Sequence, residues 1–205
     1  MSDLTPNEVK PTVVISFSDA LLEQSDFAAI EPFYQAEQLV TIVSQVLVFL
    51  AAHQDIALPE RLADALFAKP SEVEVYITEP VEAREINLEA RNKDYATNIL
   101  SYPSELPEAV IALLPSLSLG ELVICHEVVA KQAEEQGKTV NAHLTHLLVH
   151  GVLHLLDFDH ELGQAEQDEM ESIEIAVLAK LGIDNPYLTR SEERRVGKEC
   201  LRLCR

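Results

Sequence analysis

Four histidines, His146, His150, His154 and His160, fall within the fifteen residues of the otherwise apolar run HLLVHGVLHLLDFDH. Neutral imidazole ligates divalent transition metals well, so the clustering raises a metal site. On a helix, residues four apart share a face, which puts His146, His150 and His154 on one ladder where two neighbours can hold one ion. His150 and His154 have the spacing of the helical pair in zinc peptidases, but Gly151 stands where those enzymes carry the glutamate that activates water, which disfavours that chemistry. Asp157-Phe158-Asp159 is rich in residues that turn a chain, and a helix ending near Asp157 lets His160 fold back to the same ion. Three imidazoles leave a fourth tetrahedral position for water, the arrangement of a catalytic zinc, although nickel, copper or iron suit the same ligands. Asp159, Glu161 and Glu166 are candidate partners for the ring N–H groups. Burying the trio His150, His154 and His160 without a ligand would leave polar nitrogens to be satisfied, whereas His126, His143 and His146 each read as satisfied core residues.

The elements that must position these groups alternate between strand and helix patterns. β-branched residues at 12–18 and the acidic–apolar alternation at 72–78 predict strands, as do 98–102 and 121–125. Helices are expected over 33–53 after Pro32, over 59–67, over 80–91, over 126–136 closed by Gly137, and over 165–181 closed by Gly182. Another, capped by Asn141, runs into the histidines, and 103–115 reads as a proline-marked loop. Four strands interleaved with helices predict an α+β fold: a single domain, one mixed four-stranded β-sheet packed with helices, and the metal site at the end of a helix.

The 205 residues carry 15 Lys and Arg against 35 Asp and Glu, a formal charge of −20. Residues 190–205, RSEERRVGKECLRLCR, hold six of those cations and two of the three cysteines, and their first part resembles a translated sequencing adapter. They are taken as a non-native tail, with 1–189 as the domain. That body holds nine Lys and Arg against thirty-two Asp and Glu, a charge of −23, so any nucleic-acid partner must meet a local cluster of cations. Cys125 alone stands outside the tail, which leaves no disulfide framework and suits a reducing compartment. The first residues lack a secretory pattern and no apolar run reaches bilayer length, so a cytoplasmic protein is expected.

The segment HGVLHLLDFDH resembles the H-G-x-L-H-L-x-G-Y/F-D-H signature of the YbeY family of bacterial endoribonucleases, zinc-dependent factors of 16S rRNA maturation; it aligns His150, Gly151, Leu153, His154, Leu155, Phe158, Asp159 and His160. Residues 87–102, NLEARNKDYATNILSY, are similar to the family's N-x-x-x-R-x-K-D-x-x-T-N/D-V-L-S-F, and 120–125, GELVIC, to its G-D-[IL]-V-I-C strand. The resemblance implies one Zn2+ per chain held by His150, His154 and His160, catalytic roles for Arg91 and His150, and substrate binding by Arg91 and Lys93, with Arg84 a weaker contributor of positive potential. It also implies single-strand-specific cleavage of RNA, in 3′-end processing of 16S rRNA and in 70S quality control. The expected partners are rRNA and the ribosome or its associated proteins, with no membrane and no DNA. Two departures stand out: Asp157 replaces the family's usual glycine, and 33–53 lies in a stretch longer than usual, an insertion or a packing extension. A metal hydrolase of another substrate, or a non-catalytic assembly factor using zinc to hold its fold, are the competing readings.

Overall fold

A computed structural model of the chain describes residues 10–160 and 163–188. Four strands, β1 (Thr12–Phe17), β2 (Ser71–Thr78), β3 (Ile99–Pro103) and β4 (Leu117–Cys125), form one sheet in the order β1-β2-β4-β3. β1, β2 and β4 run parallel, and β3 pairs antiparallel with β4, so the α+β class and the mixed four-stranded sheet are as the sequence pattern predicts. In β2 the side chains of Val73, Val75 and Ile77 are buried while Glu72 and Glu74 face out, the period-two pattern of a strand with one covered face. β4 begins four residues earlier than Gly120 suggested, because Gly120 (φ +127°) continues the strand in a backbone conformation open to glycine, beside an irregularity in the β2 register.

The helices fall close to their predicted spans: α5 (Pro80–Arg91), α7 (His126–Gln136) and α9 (Gln164–Lys180). The stretch after β1 is more broken than periodicity indicated. It holds two one-turn helices, α1 (Asp19–Leu22) and α2 (Phe27–Ile30), a 3-10 turn at Glu31–Tyr34, and then α3 (Ala36–Ala52). Of the expected helix 59–67 only α4 (Glu60–Ala63) is regular, and the expected loop 103–115 contains α6 (Glu108–Ile111). The stretch Phe27–Ala52 is, by length and composition, apolar enough to cross a membrane, which corrects the expectation that no run reaches that length. Its helical path is interrupted at Gln35 (ψ 131°). The α3 face carrying Leu39, Ile42, Val43, Val46 and Leu50 lies in the core, against β1 and the histidine helix α8 (Val140–Leu155), so α3 is a core helix of the fold.

α8 is the central helix, flanked by α3, α7 and α9 and seated on β3 and β4. Its N-cap is Thr139, whose hydroxyl accepts from the Ala142 N–H at 3.1 Å; the predicted cap Asn141 lies inside the first turn and accepts from the Gln38 amide at 2.7 Å. A β-carbon at Gly151 would stand 2.8 Å from Leu122 Cδ2 and 2.9 Å from Ile99 Cδ1. The helix therefore sits close against the sheet, where a β-carbon would push aside the ends of the buried Leu122 and Ile99 side chains and a glutamate would need more room still. Gly151→Glu is expected to destabilise the protein by about 3 kcal/mol or more, because it places an unpaired carboxylate in a dry, filled contact. Urea denaturation measures the loss, and a midpoint equal to that of the parent chain would contradict this packing account.

Candidate metal centre

The site is built at the C-terminal end of α8. His146, His150 and His154 share one side of the helix. The helix closes by a Schellman turn, in which Phe158 N–H donates to the Leu153 carbonyl at 3.1 Å and Asp157 N–H to the His154 carbonyl at 3.0 Å. Asp157 occupies the left-handed position with φ +64°, the backbone that the family's glycine would take. For an L-residue that conformation costs up to about 1–2 kcal/mol, less for aspartate. Buried Phe158 anchors the reversed chain, and His160 returns to the helix end.

His150, His154 and His160 come together there, with ring centroids 4.5 Å apart for 150–154, 5.2 Å for 150–160 and 5.1 Å for 154–160. One nitrogen from each lies within 4.8 Å of the others, so the three can hold one metal ion. The Nε2 atoms of His150 and His154 face each other at 3.1 Å, close to the edge of about 3.3 Å that tetrahedral ligands at zinc–nitrogen distances require. Burial, reinforced by the neighbouring charges of His150 and His160, lowers the His154 pKa to about 4, which keeps the ring neutral and able to ligate at physiological pH.

The orientation of His150 comes from a residue that sequence reasoning did not single out. Glu174 on α9 is 1% exposed. It accepts from His150 Nδ1 at 2.8 Å, from His146 Nε2 at 3.0 Å and from the Tyr187 hydroxyl. A carboxylate only accepts, so His150 carries its proton on Nδ1 and turns the Nε2 lone pair toward the metal position. Burial alone would raise the Glu174 pKa, but the hydrogen bonds from His146, His150 and Tyr187 outweigh it and bring it down to about 2. The signal was present in the sequence: Met170, Ile173, Val177 and Leu178 form the apolar stripe of α9, and Glu174 interrupts it.

The other sequence candidates divide. Arg91, the last residue of α5, lines a cleft of about 300 Å³ with Thr97, Asn98, Ser101, Asp159 and the three histidines. It makes no hydrogen bond or ion pair with another described residue, and it is the only Lys or Arg lining that cleft among them. Lys93 is exposed on the following loop and does not line the cleft, and Arg84 is engaged with Asp94 at 2.6 Å. Glu166 is exposed at the start of α9 with its carboxylate folded over Gly163, away from the rings, and Glu161 lies outside the described residues. His146, read as an isolated core residue, shares the Glu174 carboxylate with His150. His126 and His143 are core histidines, held by Tyr34 at 2.9 Å and Gln132 at 3.1 Å.

Two expectations follow. Glu174→Ala should weaken metal binding by about 10–100-fold, read by chelator competition, since it frees the rings of His146 and His150 to turn; unchanged affinity would remove Glu174 from the site. The second concerns pH. Burial also lowers the His143 pKa to about 4, so both His143 and His154 stay neutral in the fold while the unfolded chain takes up protons below about 6.5. Stability of the metal-free chain is therefore full above pH 6.5 and falls as pH drops toward 4, by on the order of 3 kcal/mol per ring. Denaturant titrations at pH 7 and 4.5 should show a smaller drop for His143→Gln.

The family model described as Endoribonuclease YbeY matches residues 33–182, a span that takes in α3. Relatives carrying that name include one from Psychrobacter cryohalolentis, 67% identical over 115 residues, or 56% of this chain and 74% of the relative. One from Psychrobacter arcticus is 67% identical over 56% of this chain and 56% of its own length, and one from Acinetobacter baylyi is 46% identical over 66% and 86%. A Thermotoga maritima protein of known solution structure aligns over 86% of this chain and 99% of its own with TM-score 0.43 and 19% identity. With a histidine triad able to hold a metal ion at its centre and a family match over most of its length, the chain belongs to the YbeY family of endoribonucleases.

Proposed function

We propose that this protein is a zinc-dependent, single-strand-specific endoribonuclease of the cytoplasm, acting on the 3′ end of 16S rRNA in late ribosome maturation and in 70S quality control. Residues 1–189 are its one catalytic domain, and 190–205, outside the described residues, are foreign to it. The observation that carries the reading is the guanidinium of Arg91, without an ion-pair partner among the described residues, in the same small cleft as His150, His154 and His160. A zinc ion on those imidazoles supplies Lewis acidity toward a phosphoryl oxygen and an attacking water. Arg91 meets the charge that develops on the non-bridging oxygens, from the same cleft that Asp159 and the three histidines line. His150, held through Nδ1 by Glu174, keeps its Nε2 in place without needing to reorient.

With a formal charge of −20 and one Lys or Arg lining the cleft among the described residues, the protein has little general attraction for a phosphate backbone. This favours a substrate presented by the ribosome or a ribosome-associated protein over one captured from bulk RNA. Lys93 serves, on this reading, at the outer margin of the bound strand, since it does not line the cleft.

The purified chain should cleave single-stranded RNA, lose activity to a chelator and recover it with zinc, while a peptide panel stays intact. Arg91→Ala should lower kcat by about 10²–10³ with zinc affinity retained. Cells carrying only Arg91→Ala or His154→Ala should accumulate 16S rRNA extended at its 3′ end. Normal processing in those cells, with ribosome association preserved, would favour a non-catalytic assembly factor; peptide hydrolysis without RNA cleavage would favour another substrate.

A further inference from the structure

The turn between His154 and His160 carries a non-glycine residue in a left-handed conformation, and it is tied to the sheet by one side chain from a distant segment. Arg61, on α4, donates to Asp157 Oδ2 from Nε at 3.0 Å and from Nη2 at 2.6 Å. Its remaining terminal nitrogen, Nη1, donates to the Ser104 carbonyl at 2.7 Å. Ser104 in turn donates its N–H to the Leu119 carbonyl of β4 at 2.9 Å, so the guanidinium is referenced to the sheet itself. The base of Arg61 is equally fixed, because the next residue, Leu62, and Leu66 are buried at 1% and 3% exposure. The planar fork of arginine thus joins three separate segments at one point, which a lysine could not do with the same geometry.

The contact lies where the metal centre is most exposed to error. His154 is the last histidine of α8, His160 lies beyond the turn, and the backbone at Asp157 decides whether the two meet. Glycine would adopt the left-handed backbone unaided, whereas aspartate brings both a β-carbon and a negative charge. In so acidic a chain that carboxylate gains from a fixed cation, and among the described residues Arg61 is the one ion-paired with it. We propose that Arg61 is a positioning residue for the metal centre: by clamping the Asp157 carboxylate to the Ser104 carbonyl, it holds the turn that carries His160 to His150 and His154, in place of a glycine. The proposal rests on the reading of these three histidines as metal ligands, and it makes Arg61 and Asp157 one device.

Glycine rescue tests this directly. Arg61→Ala should weaken zinc binding by about 10–100-fold in chelator competition and speed amide exchange at residues 157–160 of the metal-free protein. Adding Asp157→Gly to the Arg61→Ala chain should restore both, since the turn no longer needs a clamp. Arg61→Gln, which keeps the stem as far as Cδ and loses the charge and the fork, guards against a mere packing defect and should behave like Arg61→Ala. Zinc affinity and exchange that stay at the parent level in Arg61→Ala overturn the proposal, as does a double variant no better than Arg61→Ala. A raised KM for RNA with zinc affinity intact would likewise overturn it, by making Arg61 a substrate contact. If the parent chain binds no zinc, the metal reading fails, while amide exchange still reports whether the clamp holds the turn.

Discussion

The close seat of α8 on the sheet sets the position of everything else in the site. At Gly151 an added carbon would come within 2.9 Å of the Leu122 and Ile99 side-chain ends, so the helix sits in close contact with the sheet there. His150 precedes that glycine and His154 follows it by three residues, so both rings inherit their placement from an apolar contact in the core. Ser101 and Ile99 on the β3 side of the same contact form the opposite wall of the cleft. A histidine on a central helix is thereby held more firmly than a loop could hold it. The cost is a helix interior containing glycine, about 0.5–1 kcal/mol against alanine, offset by the apolar residues that cover α8 on nearly every side.

On that rigid seat the polar groups are arranged around a carboxylate that water does not reach. Glu174 is stable in the core because three donors surround it, and those donors are the rings and hydroxyl of His146, His150 and Tyr187. The same pairing works in both directions. The rings keep the acid ionised, and the acid fixes the tautomer that leaves His150 Nε2 free to ligate. α8 and α9 are thus joined by a charged contact inside an otherwise apolar interface, and its members stand one shell behind the metal position. His146, spaced as a third rung of the ladder, stands outside the triad and gives its Nε2 to Glu174.

What the sequence disclosed follows the range of the interaction involved. Regular elements with strong periodicity and clear stops, such as α5 between Pro80 and Asn92 or α7 before Gly137, were legible because local forces define them. The triad was legible because all three histidines lie within eleven residues and the intervening turn chemistry is local. The partners Glu174 and Arg61 were not, since each meets the site from a segment far along the chain and no local pattern says which carboxylate or guanidinium arrives. For the same reason Asp159 and Glu166, near the triad in sequence, were preferred to Glu174, and only the interrupted apolar stripe of α9 marked it. The broken helices between β1 and α3 and the short α6 were missed because one-turn segments have too few residues to display a period.

The balance of charge bears on how such a site selects its substrate. Acidic groups dominate the surface, and Arg91 stands at the cleft without an ion-pair partner among the described residues, while Arg61 and Arg84 are both engaged by aspartates. Attraction to a phosphate chain scales with the number of cations that can displace counterions, so a single free guanidinium gives little general affinity and a weak dependence on salt. Arg91 and the histidine centre instead share one cleft of about 300 Å³, so an anionic group gains from both only where it reaches them together. The acidic exterior and the one cation lining the cleft among the described residues are therefore two parts of one arrangement, which disfavours indiscriminate binding of polyanions.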